Sequence, residues 1–149
     1  MSNLHVLSSL TEREAVIDAL YRAISGFDDN DISLLKSACC GSDFAFEMNG
    51  NIFNVDQLIN FVGPLDTTHM ISGIRVDLKE GALSASLTAN ALAQHCPPGR
   101  GLETDGPKFL AGGKYFIDLV KDNNDGLWKI KKWVLKTIWR QGDASVLES

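Results

Sequence analysis

The amino-acid sequence predicts an α+β fold, in which three helices in the first part of the chain pack on a strongly curved, mostly antiparallel sheet. Three observations favour this class. Helix-capping residues precede apolar residues at helical spacing, a series of turn signals separates strand-like segments, and the last part of the chain contains long strand-like stretches. The 149 residues, 44% of them hydrophobic, suffice for one core, so we expect residues 1–149 to form a single domain.

The first helix is predicted from a capping box, in which Thr11 and Glu14 each satisfy a free backbone amide of the other residue. The apolar residues that follow recur at helical spacing: Val16, Leu20, Ala23, Phe27. They form a broad buried stripe. We expect this helix to end near Gly26, and Tyr21 to project from the same buried stripe.

Two further helices flank a hairpin. The predicted elements are a helix at 32–38, strands at 44–48 and 51–53, and a helix at 55–62. Asp31 caps the first of these helices, and Asn54 with Gln57 caps the second. The hairpin follows from Asn49-Gly50, because these two residues tolerate the positive φ of a tight turn.

Four long strands are predicted in the rest of the chain, at 68–78, 83–95, 108–120 and 127–140. The second of them consists largely of alanine and serine, which leaves room either for a neighbouring element or for a ligand. A loop rich in proline and glycine follows at 96–107. Gly112-Gly113 indicates a bulge in the third strand, and the Asn-Asn-Asp-Gly sequence at 123–126 indicates a turn before the fourth.

The last strand carries all three tryptophans of the chain. Apolar residues occupy both of its faces, with Trp133, Leu135 and Trp139 on one and Ile130, Val134 and Ile138 on the other. We therefore expect a strand that is covered on both sides, within a curved sheet that the helices close into a pocket.

Composition and charge exclude several classes of partner. The formal charge of −5 and the pI near 5.1 argue against a nucleic-acid partner, because phosphate binding needs a clustered basic surface. The nearest approach to such a cluster is expected to be a solvated strand face: Lys129, Lys131, Lys132, Lys136, Arg140. No apolar run approaches the roughly 20 residues of a membrane span.

The cysteines indicate a reducing location. Cys39, Cys40 and Cys96 are odd in number and two of them are adjacent, which is typical of a cytoplasmic chain rather than of a disulfide scaffold. The N-terminal ten residues also lack the basic and apolar regions of a secretory leader. A zinc site formed by these cysteines with His95 is not favoured, because CxxC spacing is absent. We expect neither a metal nor an organic cofactor.

Several segments, in this order, resemble the SnoaL-like branch of the nuclear transport factor 2-like superfamily. They are FDDND after the first helix, TTHMISGIRVDL, ALAQHCPPGRG, and a Gly-Gly-x-Tyr strand followed by a W-x-I-x-x-W strand. The resemblance covers nearly the whole chain. It implies a cone whose mouth admits a hydrophobic small molecule, and a homodimer formed through the sheet. Relatives include polyketide cyclases and scytalone-dehydratase-like enzymes.

The resemblance also implies a set of catalytic residues. His69 matches the histidine that such dehydratases use as a base, His95 matches a second histidine, and Asp28 matches the acid after the first helix. The tyrosine that polarises a substrate carbonyl is left open between Tyr21 and Tyr115. The expected aromatic residues of the substrate pocket are Phe46, Trp133 and Trp139.

Elementary chemistry agrees with this assignment. Removal of a proton beside a carbonyl needs a base with a pKa near neutral, a donor for the enolate oxygen, and exclusion of water. Either His69 or His95 can supply the base, and the carboxylate of Asp28 can fix its tautomer. Each of these residues also has a structural alternative, because histidines often make structural hydrogen bonds and Asp28 can simply end a helix.

Three classes of function are compatible with these residues. The favoured one is a cofactor-free dehydratase, cyclase or isomerase that acts on a polyketide- or terpenoid-like substrate of secondary metabolism. The second is a non-catalytic carrier of hydrophobic small molecules, which would not need titratable groups in its pocket. The third is an assembly module that uses the outer face of the sheet.

Overall fold

A computed structural model describes residues 5–148 and confirms the α+β class. Its helices are α1 (Glu12–Asp28), α2 (Ile32–Ser37) and α3 (Val55–Val62). Its strands are β1 (Ala45–Met48), β2 (Asn51–Phe53), β3 (Asp66–Asp77), β4 (Ser84–Cys96), β5 (Phe109–Lys121) and β6 (Trp128–Gly142). Short 3₁₀ turns lie at Gly41–Asp43 and Ala144–Glu148.

The six strands form one sheet in the order β2-β1-β6-β5-β4-β3. All neighbouring pairs are antiparallel except β1 and β6, which run parallel. The hairpin predicted at Asn49-Gly50 is confirmed, with φ values of 52° and 84° at its two turn residues. The long strands β3 to β6 therefore make the wall of the fold, and the short hairpin extends that wall at one edge.

The predicted caps are present. Thr11 and Glu14 exchange hydrogen bonds of 3.1 and 3.2 Å at the start of α1, and Asn54 with Gln57 does the same for α3 at 2.9 Å. Helix α1 ends at Asp28, two residues beyond the predicted end near Gly26. Gly26 instead allows a close helix contact, since a Cβ atom there would lie 2.7 Å from the Cβ of Leu35 in α2.

Strand β6 contains two extra residues that change which side chains face inward. The register between β5 and β6 shifts at Gly112/Gly113, as predicted, but the additional residue is Ile138 on β6. A second shift leaves Lys131 without a counterpart, so both Ile130 and Trp133 are buried. The prediction that β6 is covered on both faces is therefore wrong, since Ile138 is 62% exposed and Val134 only half-buried.

The core fills one end of the curved sheet. Buried residues of α1, including Val16 and Leu20, belong to one apolar cluster with Leu87, Ile117 and Ile130 of the strands. Arg22 is buried beside this cluster and donates to the carbonyl oxygens of Ser37 and Trp128. The other end of the sheet is not filled in this way and lines a cavity. None of the helices in the described part of the chain is long and apolar enough to cross a membrane.

Candidate active site

A cavity of about 470 Å³ lies between the inner face of the sheet and the helices. Its wall includes aromatic and aliphatic side chains from α1, α3, β1, β5 and β6, such as Phe27, Phe61, Phe46, Phe109 and Trp133. Strand β4 contributes Ala91 and Ala93, so the small residues that the sequence singled out do leave room for a cavity. Trp139 and Leu147 also line the cavity. The prediction that Trp139 shares a face with Trp133 and Leu135 is wrong, because Trp139 pairs with Gly112; its ring packs over that glycine and is 46% exposed.

His69 and Asp28 form a hydrogen-bonded pair at this wall. The Nδ1 atom of His69 lies 2.7 Å from Oδ1 of Asp28, and the backbone N–H of His69 donates to Oδ2 at 2.9 Å. The carboxylate fixes the ring with the proton on Nδ1, so that Nε2 carries the lone pair. His69 lines the cavity, whereas Asp28 lies behind it, at the end of α1.

Thr67 completes the support of this pair and was missed by the sequence analysis. Its hydroxyl donates to Oδ1 of Asp28 at 2.8 Å, and the residue is buried. Asp28 therefore accepts three hydrogen bonds, which hold it against β3. The signal was present in the sequence, because residues two apart on a strand share a face and Thr67 precedes His69 by two.

His95 lies beside His69, with the two ring centroids 5.9 Å apart and the rings nearly perpendicular. The Nδ1 atom of His95 lies 3.0 Å from the carbonyl oxygen of Phe109, which can only accept, so Nδ1 carries the proton and Nε2 the lone pair. Burial lowers the pKa of His95 below its usual value, and this effect exceeds the opposing one of the Phe109 carbonyl. The imidazole is therefore held neutral over a wider pH range than in water.

Three of the predicted pocket aromatics form a connected group. The ring of Trp133 meets those of Phe46 and Tyr115 edge to face, at 5.3 and 5.1 Å. All three residues line the cavity. Tyr115 is 3% exposed, and its hydroxyl makes no hydrogen bond with any described residue. Burial raises the pKa of this phenol, so it remains a hydrogen-bond donor.

The structure does not bring Tyr21 to the site. The prediction that Tyr21 projects from the buried stripe of α1 is wrong, because its side chain is 43% exposed and does not line the cavity. At about 100° per residue, Tyr21 lies roughly 120° around the helix from the centre of the stripe formed by Val16, Leu20 and Phe27. Of the two tyrosines that the sequence left open, only Tyr115 lies at the cavity.

Four of the five basic residues of β6 are exposed, as predicted: Lys131, Lys132, Lys136 and Arg140. Lys129 forms ion pairs of 2.7 and 2.8 Å with Asp122 and Asp125, and its side chain is 16% exposed. Lys136 and Arg140 are both exposed, but only Arg140 lines the cavity. Within residues 5–148, no three His, Cys, Asp or Glu side chains are grouped so that they could hold a metal ion.

Comparison with known proteins places the chain in a family. The SnoaL-like domain matches residues 8–134. A curated protein of Penicillium crustosum, the terrestric acid biosynthesis cluster protein E, is 40% identical over 143 residues, which cover 93% of this chain and 90% of that protein.

Solved structures of similar proteins share the fold. A putative scytalone dehydratase from Novosphingobium aromaticivorans has a TM-score of 0.72 and 22% identity, over 89% of this chain and 87% of that one. A hexachlorocyclohexane dehydrochlorinase from Novosphingobium barchaimii has a TM-score of 0.68 and 16% identity, over 89% and 90%. These likenesses establish the nuclear transport factor 2-like cone that the sequence predicted. The chain belongs to the SnoaL-like domain family.

Proposed function

We propose that this protein is a cofactor-free lyase or isomerase that acts on a hydrophobic, polyketide- or terpenoid-like intermediate of secondary metabolism. The observation that carries the proposal is the 2.7 Å contact between His69 and Asp28 at the wall of an apolar cavity. The similarity to a protein named for a biosynthesis cluster supports the metabolic setting. Dehydration, cyclisation and isomerisation share the first step of this chemistry, which is removal of a proton beside a carbonyl.

In the proposed reaction, Nε2 of His69 removes the proton and Asp28 stabilises the resulting imidazolium through Nδ1. The hydroxyl of Tyr115 donates to the enolate oxygen as negative charge develops there. The imidazolium of His69 then returns its proton, either to a departing hydroxyl group in a dehydration or to another carbon in an isomerisation. The neutral His95 accepts a hydrogen bond from a substrate hydroxyl at Nε2 and orients it. The hydrophobic wall, including Phe46, Trp133 and Trp139, excludes water.

Deletion of the gene in its producing organism provides the substrate for a test. The deletion strain should accumulate an intermediate, and the purified wild-type protein should convert this compound. His69→Ala and His69→Gln should lower turnover by roughly 10²- to 10⁴-fold, the usual contribution of a positioned base. His5→Gln is the matched control, because His5 does not line the cavity and its ring lies near Ser33 instead. Wild-type turnover by both His69 variants would contradict the proposal.

A non-catalytic carrier of hydrophobic small molecules is the alternative, favoured by the predominantly apolar lining of the cavity. In that case the wild-type protein and His69→Gln would bind the accumulated compound with equal affinity, and neither would convert it.

Three further proposals accompany this function. First, residues 1–149 form one domain, because all six strands join one sheet. Limited proteolysis into two stable pieces would contradict this proposal.

Second, the protein is a homodimer through the outer face of the sheet, where Met70 and Phe116 are 47% and 43% exposed. A monomer at micromolar concentration in sedimentation would refute this proposal. Third, the protein is cytoplasmic, since Cys39, Cys40 and Cys96 are free thiols, and a fluorescent fusion tests this.

A further inference from the structure

Arg140 is the one permanently charged side chain among the described residues that line the cavity. Among residues 5–148, no carboxylate shares that wall and none forms an ion pair or hydrogen bond with Arg140. Two more buried basic residues, Arg22 and Lys129, differ in this respect. Arg22 is held by two carbonyl oxygens and Lys129 by two carboxylates. Arg140 is exposed, and among residues 5–148 its guanidinium has no charged partner at a cavity lined mainly by apolar side chains.

Arg140 also lies in line with the proposed base. The strand register pairs His69 with Ala93, Ala93 with Ala111, and Ala111 with Arg140. Residues paired in this way share one face of a sheet, and all four line the cavity. Three strand spacings separate the ends of this row, about 14 Å along a flat sheet and less along a curved one. Because both intervening residues are alanines, an open path connects His69 and Arg140.

The inward orientation of Arg140 depends on the extra residue in β6. Gly113 pairs with Thr137 and Gly112 with Trp139, so Ile138 has no counterpart and the alternation of faces reverses beyond it. Without Ile138, Trp139 would pair with Ala111 and Arg140 would lie on the outer face. The bulge thus places Arg140, which remains exposed to solvent, among the residues that line the cavity.

We propose that Arg140 binds the carboxylate of the substrate, so that the substrate is an apolar carboxylic acid with its reacting carbon at His69. This inference rests on the proposed function, whose substrate it narrows. A guanidinium presents two parallel N–H groups that match the two oxygens of a carboxylate. The distance between Arg140 and His69 then determines the length of the substrate. It favours acids whose reactive carbon lies about three strand spacings from the carboxylate.

Decanoate and decanamide are suitable probes, because they share one chain and differ in the charge of the head group. Isothermal titration calorimetry at pH 7.5 should show that the wild-type protein binds the acid about 10- to 100-fold more tightly than the amide. Arg140→Gln should abolish this preference and leave the affinity for the amide unchanged. Lys136→Gln is the matched control, since Lys136 lies on the same strand but does not line the cavity, and this variant should keep the preference.

Equal affinity of the wild-type protein for acid and amide would overturn the inference, as would a preference that survives in Arg140→Gln. An equal loss in Lys136→Gln would attribute the effect to net charge and would overturn it too. His69→Gln separates the inference from the proposed function, because it should lose turnover and keep the preference for the acid. If it keeps turnover while Arg140→Gln loses the preference, the carboxylate site stands and the proposed base is wrong.

Discussion

Replacement of Asp28 by asparagine tests the proposed base through its tautomer. The carboxylate accepts from the backbone N–H of His69 at Oδ2, and from Thr67 and Nδ1 of His69 at Oδ1. A backbone N–H can only donate, so the amide oxygen of Asn must take the Oδ2 position. Its NH₂ group then faces Nδ1, while the hydroxyl of Thr67 can rotate to accept. Nδ1 must now accept as well, and the proton of the imidazole moves to Nε2.

The consequence is a cavity in which Nε2 of His69 no longer presents a lone pair. We therefore expect Asp28→Asn to lower turnover by about 10²- to 10⁴-fold, which corresponds to about 2.7–5.5 kcal/mol in the barrier. Because the variant can keep three hydrogen bonds, we expect its free energy of unfolding to fall by only about 1–3 kcal/mol. Activity and stability should thus separate in this variant.

Two measurements check this prediction. Imidazole nitrogen shifts in NMR report the tautomer of His69 without any substrate, and should show Nδ1 protonated in the wild-type protein and Nε2 protonated in Asp28→Asn. Turnover is measured on the intermediate that accumulates in the deletion strain. Asp77→Asn, which removes an exposed carboxylate at the far end of β3, is the control and should retain activity. An unchanged tautomer combined with wild-type turnover would refute the reasoning.

Two other predictions concern buried polar residues. Burial lowers the pKa of His95 in the folded protein, so the unfolded chain binds more protons below about pH 6.5 and stability falls as the pH drops. Thermal unfolding from pH 7 to pH 5 should show a smaller fall in Tm for His95→Asn, and an equal fall would exclude this cause. Arg22→Met leaves the carbonyl oxygens of Ser37 and Trp128 without their donor, so the free energy of unfolding in urea should fall by about 2–4 kcal/mol. A fall of less than about 0.5 kcal/mol would contradict this role of Arg22.

Local chemistry made much of the fold predictable from the sequence. The capping pairs at Thr11 and Asn54 act over three residues, and the turn at Asn49-Gly50 needs only the φ preference of two, so none of them depends on distant contacts. The order of the sequence segments was also enough to recognise the resemblance to a family, and that resemblance implied His69, His95 and Asp28 as site residues. The three residues do lie close together, although only their identity, and not their distance, was visible in the sequence.

The tertiary structure decided what depends on register and on close approach. In the sequence Gly26 looks like a helix end, but in the structure it allows Leu35 of α2 to pack closely against α1. Tyr21 lies outside the buried stripe of α1 and is exposed. The alternation of β6 predicted the wrong face for Trp139, because the extra residue Ile138 makes Trp139 pair with Gly112. The position of that extra residue is set by the pairing with β5 and not by β6 itself. A strand's own sequence gives the period of its side chains, but only its partner fixes where that period is interrupted.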